Sequence, residues 1–130
     1  MSPSTRIAIR WRDLDALGHV NNAVYLTYAE EILDAWLRDT LGLQPGATWD
    51  YVTARAAVDY RSELRQTDLE VVGTVALVRV GTKSITAAIE LRTPDGRLAA
   101  EIEVVAVAID RDRGGSRPLA DAERAAFEAT

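Results

Sequence analysis

Residues 5–12 alternate, with Ile7, Ile9 and Trp11 on one side and Arg6, Arg10 and Arg12 on the other. A period of two predicts a half-buried strand. Residues 13–19 (DLDALGH) break the alternation and read as a loop. Asn21 or Asn22 then caps a helix, because a short side-chain oxygen accepts from the free amides of a first turn. The helix is expected from about Asn22 to Thr40. Thr27, Glu30, Glu31, Asp34 and Arg38 recur at helical spacing as one narrow polar stripe, and Asp34 and Arg38 form an i,i+4 pair in the favourable order. The rest is apolar (Val24, Tyr25, Leu26, Tyr28, Ala29, Ile32, Leu33, Trp36, Leu37), so the helix is expected to be largely enclosed. Gly42 is its expected stop, before a loop over 42–50.

From there the period returns to two. Val52, Ala54, Ala56, Val58 and Tyr60 alternate with Thr53, Arg55, Asp59 and Arg61. Leu69 to Val80 is a second run, ended by Gly81, and Ser84 to Thr93 is a third. Residues 94–97 (PDGR) are a strong turn, so the third and fourth runs should form a hairpin. The fourth run, Leu98 to Asp110, contains Val104 to Ile109, apolar on both faces, which implies cover on both sides. Asp121 to Ala129 suits a short terminal helix. A strand, a long helix and four further strands give an α+β domain, with the mainly antiparallel five-stranded sheet curled around the helix.

Composition narrows the chemistry. The 130 residues suit one domain, 1–130, with one sizeable core. The net charge of −5, with Arg and Lys scattered, argues against nucleic-acid binding. There is no cysteine, which excludes thiolate nucleophiles, disulfides and thiolate metal sites. A single histidine excludes a multi-His metal site within one chain. No cofactor and no metal is expected. The N-terminal residues lack the apolar run of a signal peptide, and no stretch approaches a membrane span, so a cytoplasmic protein without membrane contact is expected.

Chemistry concentrates between Asp13 and Tyr28. Two carboxylates, a glycine, the only histidine and two asparagines crowd the junction of strand and helix. A helix start offers unpaired amides and partial positive charge, which can hold a carbonyl oxygen as it becomes negative. A carboxylate in the preceding loop can attack that carbonyl or activate water. Taken by spacing alone, an aspartate here more often fastens a turn or cap, and for Asp13 that structural use is favoured. Gly18 permits a tight turn, and His19 titrates in a useful range. Asn21 and Asn22 serve as caps or as oxyanion donors.

Residues 11–31 (WRDLDALGHVNNAVYLTYAEE) closely resemble the signature of the 4-hydroxybenzoyl-CoA thioesterase family. The HVNNxxYL part is similar to bacterial long-chain acyl-CoA thioesterases and to plant acyl-carrier-protein thioesterases. Gly81 to Ser84 resembles the family's GxxS segment, and the likeness spans about residues 5–110. It implies the hotdog fold, in which a curved sheet wraps the long helix. Dimers join their sheets, and active sites lie at the interface. A homodimer or homotetramer is therefore implied, acting on an acyl-CoA or acyl-carrier-protein thioester.

By position, Asp15 matches the catalytic aspartate, as nucleophile or as base toward water, the latter favoured for an aliphatic acyl group. The backbone amide near Asn22 matches the donor that polarises the thioester. Gly18 would allow close approach, His19 would orient loop or substrate, and Tyr25 would line the acyl pocket. Ser84 would bond the pantetheine arm. Lys83, Arg61 and Arg65 are candidates for nucleotide phosphates. Glu30 and Glu31, the carboxylates another hotdog branch would use, fall on the polar stripe and read as structural. Where many relatives carry a proline and a glycine, this chain has Arg61 to Asp68, a departure that bears on the phosphate contacts. The competing functions are a hotdog dehydratase or hydratase, pairing His19 with Asp15, and a non-catalytic acyl-thioester binding module.

Overall fold

A computed structural model describes residues 3–130. In chain order, β1 spans Thr5–Ala8, α1 Asn22–Leu41, β2 Tyr51–Tyr60, β3 Glu70–Val80, β4 Ser84–Arg92, β5 Leu98–Ala108 and α2 Asp121–Glu128. The strands form one sheet in the order β1-β3-β4-β5-β2, with every neighbouring pair antiparallel. Register shifts at Thr53/Arg55 and Leu77/Arg79 mark bulges. Such bulges bend strands and add twist, which helps the sheet curl around a helix.

The concave face and α1 build the core. From the helix come Tyr28, Ile32, Leu33, Trp36 and Leu37, recurring at three and four residues. Val71, Val75, Ile85, Ile89, Leu91, Ile102 and Val104 face them from the strands, all buried. At Gly73 the helix comes very close: a Cβ there would sit 2.0 Å from Ile32 Cδ1. A glycine inside a strand, which weakens it, is explained by that contact.

Both ends of α1 are defined as its sequence predicts. Asn21 is the cap, its Oδ1 accepting from the Ala23 amide at 2.9 Å. Gly42 stops the helix at φ 61°, a left-handed geometry that glycine adopts without a Cβ penalty. The Asp34–Arg38 pair forms at 2.9 Å. Beyond Gly42, α2 closes the end: Phe127 stacks on Trp36 at 6.1 Å and meets Trp49 edge-on at 5.5 Å.

Three expectations need correction. The first strand stops at Ala8, and residues 11–13 form a 3-10 turn that leaves Trp11 83% exposed. The cause is Asp13, whose Oδ2 takes the Arg10 amide at 3.0 Å and bends the chain out of the ladder. β2 does not bury one face. It is the sheet's edge, and all its residues are exposed or half-exposed. α1 is largely enclosed as expected, with its polar stripe open to solvent and Val24, Leu26 and Ala35 half-buried beside it. In β5 only one face is closed. Val104, Ala106 and Ala108 are buried, while Val105 and Val107 remain half-exposed.

Candidate active site

The loop between β1 and α1 is built from the inside out. Asp13 is buried, 4% exposed, and its carboxylate is saturated. Oδ2 accepts from Tyr28 Oη at 2.6 Å, from the Arg10 amide at 3.0 Å and from Arg10 Nε at 3.4 Å. Burial pushes this carboxyl up, but the hydrogen bonds from Tyr28 and from Arg10, with the Arg10 charge, outweigh it and hold the group below its ordinary value. Burial, and then the bond to Asp13, raise the Tyr28 phenol. The Asp13 carbonyl also accepts from the Asn21 amide at 2.9 Å, which ties the turn to the helix cap.

Asp15 points the other way. Leu14 and Val20 pair as an antiparallel bridge, and the Asp15 amide donates to His19 O at 2.9 Å. The intervening chain reverses through a turn closed by Gly18 N–H to Asp15 O at 3.1 Å, with Gly18 at φ 81°. That positive φ is the reason for glycine at 18. One Asp15 oxygen, Oδ1, accepts from the Leu17 amide at 2.9 Å and fixes the side chain. Among the described residues Oδ2 has no partner. The carboxylate opens on a recess of about 480 Å³, lined by Trp11, Arg12, Leu14, Asp15, Ala16 and Gly18.

At the start of α1, Asn21 Oδ1 takes the Ala23 amide and Asn21 O takes that of Val24. The Asn22 amide has no acceptor among the described residues, so an unpaired donor remains at the positive end of the helix. The Asn22 carbonyl accepts from Tyr60 Oη at 2.9 Å, which pins the end of β2 to the helix start.

The remaining expected residues divide into two groups. His19 stays at this end, but its Nε2 meets Glu63 Oε2 at 3.2 Å, and no bond joins it to Asp15 among the described residues. The same Glu63 oxygen takes Arg65 at 2.8 Å. Arg61 is held by Glu101 at 2.9 Å on the convex face. Tyr25 is buried, and its hydroxyl bonds Ser62 O at 3.3 Å and the Leu64 amide at 3.0 Å, fastening the β2–β3 connection. It therefore faces the core of its own chain.

Lys83 and Ser84 lie elsewhere. β3 begins beside the Asp15 loop, since Ile9 N bonds Leu69 O, and runs away from it for 11 residues. That carries the 81–84 turn roughly 30 Å from the loop. There Lys83 Nζ meets Ser116 Oγ at 3.3 Å, and Arg124 bonds Gly81 O at 2.7 Å. Within one chain Lys83 and Ser84 are not brought to Asp15.

Sequence reasoning missed Tyr60, Glu63 and Arg97. Arg97 binds Ser62 Oγ, Glu63 O and both Asp68 oxygens, clasping the connection over which the loop folds. These contacts join residues about 30 or more apart in the chain, and no local spacing signals them. Glu30 and Glu31 are exposed on the polar stripe. No helix among the described residues is long and apolar enough to cross a membrane.

Comparison with known proteins follows the same lines. The profile of the thioesterase-like superfamily matches residues 9–127. A thioesterase from Thermus thermophilus, solved with coenzyme A and zinc, is 34% identical with a TM-score of 0.81, over 97% of this chain and 91% of that one. A Pseudomonas aeruginosa protein provisionally assigned as a thioesterase is 30% identical, TM-score 0.81, over 95% of this chain and 96% of the other. A thioesterase-superfamily structure from Jannaschia shares the fold at 23% identity, TM-score 0.87, over 98% and 92%. No curated protein matches at a significant level.

Proposed function

The chain belongs to the thioesterase-like superfamily, and on that premise we propose that it acts as a single domain that hydrolyses acyl thioesters of coenzyme A or of an acyl carrier protein. Asp15 is the reacting carboxylate. The observation that carries this reading is the contrast inside one loop. Asp13 is saturated by its own chain, whereas Asp15, which lines a recess, keeps an oxygen free in the same loop that leads into the helix start and its unpaired Asn22 amide.

In this mechanism the thioester carbonyl accepts from the Asn22 N–H. Asp15 takes a proton from water as the water oxygen bonds to the carbonyl carbon. The negative charge that gathers on the carbonyl oxygen is stabilised by the amide and the helix start. Collapse of the tetrahedral species breaks the C–S bond, and the departing thiolate recovers the proton from Asp15. The alternative is direct attack by an Asp15 oxygen on the carbonyl carbon, which breaks the C–S bond, releases the thiolate to take a proton from solvent, and leaves an anhydride that water then cleaves to the free acid and Asp15. The Leu17 amide holds the carboxylate in one orientation for either route. Gly18 leaves the approach free of a side chain.

A second copy completes the site. β2 is an uncovered edge of 10 residues with Val52 and Tyr60 exposed, the kind of edge that folded proteins pair or protect. Antiparallel pairing of β2 with itself brings the partner's 81–84 end toward the Asp15 end of this chain. Lys83 and Ser84 then serve the partner's substrate rather than their own.

Asp15→Asn is the informative test, because the amide oxygen of asparagine can still accept from Leu17. A turn fastener survives that change and a base or nucleophile does not. Thiol release is expected to fall roughly 10²–10⁴-fold with unchanged thermal stability. Near-normal turnover on the best substrate would remove Asp15 from the reaction. The His19–Glu63 contact supplies a histidine–acid pair of the kind a hydratase uses. Enoyl-CoA hydration without thiol release would favour that function instead.

A further inference from the structure

We infer that Trp11 and Arg12 form the subsite for the phosphate end of the substrate's phosphopantetheine arm, a proposal that rests on the thioesterase reading above. Nearly every other cation at this end of the sheet is already neutralised. Arg10 is held by Asp13, Arg61 by Glu101, Arg65 by Glu63 and Arg97 by Asp68. Arg6 faces Glu70 at 3.5 Å. Arg12 is exposed and has neither an acidic partner nor a side-chain hydrogen bond among the described residues. In a chain with five more acids than bases, an unpaired guanidinium lining the same recess as Asp15 is a place for an anion from outside.

Trp11 supplies the second, independent observation. Its indole is 83% exposed, yet it does not sit on a loose segment. The turn that presents it is closed by Asp13 N–H to Arg10 O at 2.9 Å and Leu14 N–H to Trp11 O at 3.2 Å. It is anchored below by the buried Asp13–Tyr28 bond. A rigid backbone that holds a large apolar ring in water is arranged for contact. The chemistry that suits an apolar plate beside a guanidinium is a branched hydrocarbon joined to a phosphate. The phosphopantetheine arm ends in that way, with two methyl groups next to its phosphate.

The reach is consistent. Trp11 and Arg12 precede Asp15 by four and three residues, at most about 14 Å of backbone, and an extended arginine adds several more. The thioester at Asp15 and the phosphate at Arg12 are thus spanned by the arm rather than by the nucleotide. Coenzyme A and carrier proteins share this chemistry, so the subsite serves either source.

The test compares one acyl group on pantetheine, phosphopantetheine, 3′-dephospho-coenzyme A, coenzyme A and an acyl carrier protein. In Arg12→Gln, the preference for the phosphate-bearing esters over the pantetheine ester, read as the ratio of kcat/KM, should fall about tenfold, through KM rather than kcat. Equal behaviour of all phosphate-bearing esters supports the arm's own phosphate. An effect confined to coenzyme A would instead identify the 3′-phosphate and overturn the assignment, as would an unchanged ratio. Calorimetric titration with coenzyme A itself does not depend on turnover. A Kd weakened about tenfold in Arg12→Gln and in Trp11→Ser supports the subsite even if no ester is cleaved, and an unchanged Kd overturns it.

Discussion

At its C-terminal end α1 turns off through Gly42 and is covered by α2, while at its N-terminal end it meets a loop that leaves Trp11 and Leu17 exposed. The covered end uses up every polar group it brings inside. Glu123 takes both Arg117 nitrogens at 2.8 Å, Trp49 Nε1 at 2.7 Å and the Ala120 amide at 2.8 Å. The open end does this only in its inner half. Asp13 is saturated, but Asp15 retains a free oxygen, Asn22 a free amide and Arg12 a free guanidinium. Buried polar groups that serve the fold are paired within the chain, with Gln66 Oε1 the one exception among the described residues, because leaving a buried one unpaired costs about 1–3 kcal/mol. Groups left unpaired on a rigid frame are those meant for something that is not part of the chain.

Emptying the covered end should do the greatest damage to stability. Phe127 is fully buried against Trp36 and Trp49. Phe127→Ala is expected to cost roughly 3–5 kcal/mol, read as a lower urea midpoint. Turnover per folded molecule should hold, since the proposed reacting groups lie at the other end of α1. A large loss of activity in the folded fraction would mean that the two ends are not independent.

Removing the inner anchor of the open end should cost less and depend on pH. Asp13→Asn weakens the bonds from Tyr28 and Arg10, for an expected loss of about 1–3 kcal/mol near neutral pH. The folded carboxyl lies below its ordinary value. Its stabilisation is therefore complete above the unfolded value near 4 and disappears as pH falls through the lower folded value. The stability gap between wild type and variant should close in that acidic window. Glu123 gives the counterpart at the covered end. Hydrogen bonds from Arg117, against the opposing cost of burial, hold it at about 2. Glu123→Gln should thus lose its disadvantage between about pH 4.5 and 2. A gap that persists unchanged below pH 2 in either variant would show that shape rather than charge is responsible.

What could be read from the sequence follows from how local each cause is. The helix, its cap at one of two adjacent asparagines, its Gly42 stop and the 94–97 turn depend on residues within a few positions of one another, and all were legible. So was the Asp15 loop, through a motif only 21 residues long. Trp11 was misplaced because its alternation with Arg10 and Arg12 continues the strand pattern. The interruption comes from Asp13 taking the Arg10 amide, with its carboxylate held in place by a bond from Tyr28 that crosses 15 residues. The exposure of β2 was hidden because its pattern does not say that it lies at the sheet's edge. The separation of Lys83 and Ser84 from Asp15 has the same origin: only the order β1-β3-β4-β5-β2 and the direction of β3 put them at opposite ends. The His19–Glu63 and Tyr60–Asn22 contacts leave no periodic trace at all.

The smallest expected effect separates the two halves of the open end most finely. Asn21 Oδ1 satisfies one amide of the first helical turn, while the neighbouring Asn22 amide stays free. Asn21→Ala should cost about 1 kcal/mol of stability, as for a lost cap, and Asn21→Gly only a few tenths. If the Asn22 amide polarises the substrate, fraying of this turn also blurs the donor's position. The alanine variant should then lose more in kcat than in KM, and more than the glycine variant does. An oxyanion donor acts mainly in the transition state, so the split between kcat and KM is the quantity to measure. A cap loss that lowers the melting temperature but leaves kcat alone in both variants would detach the helix start from the chemistry. The open end of α1 would then be a binding mouth only.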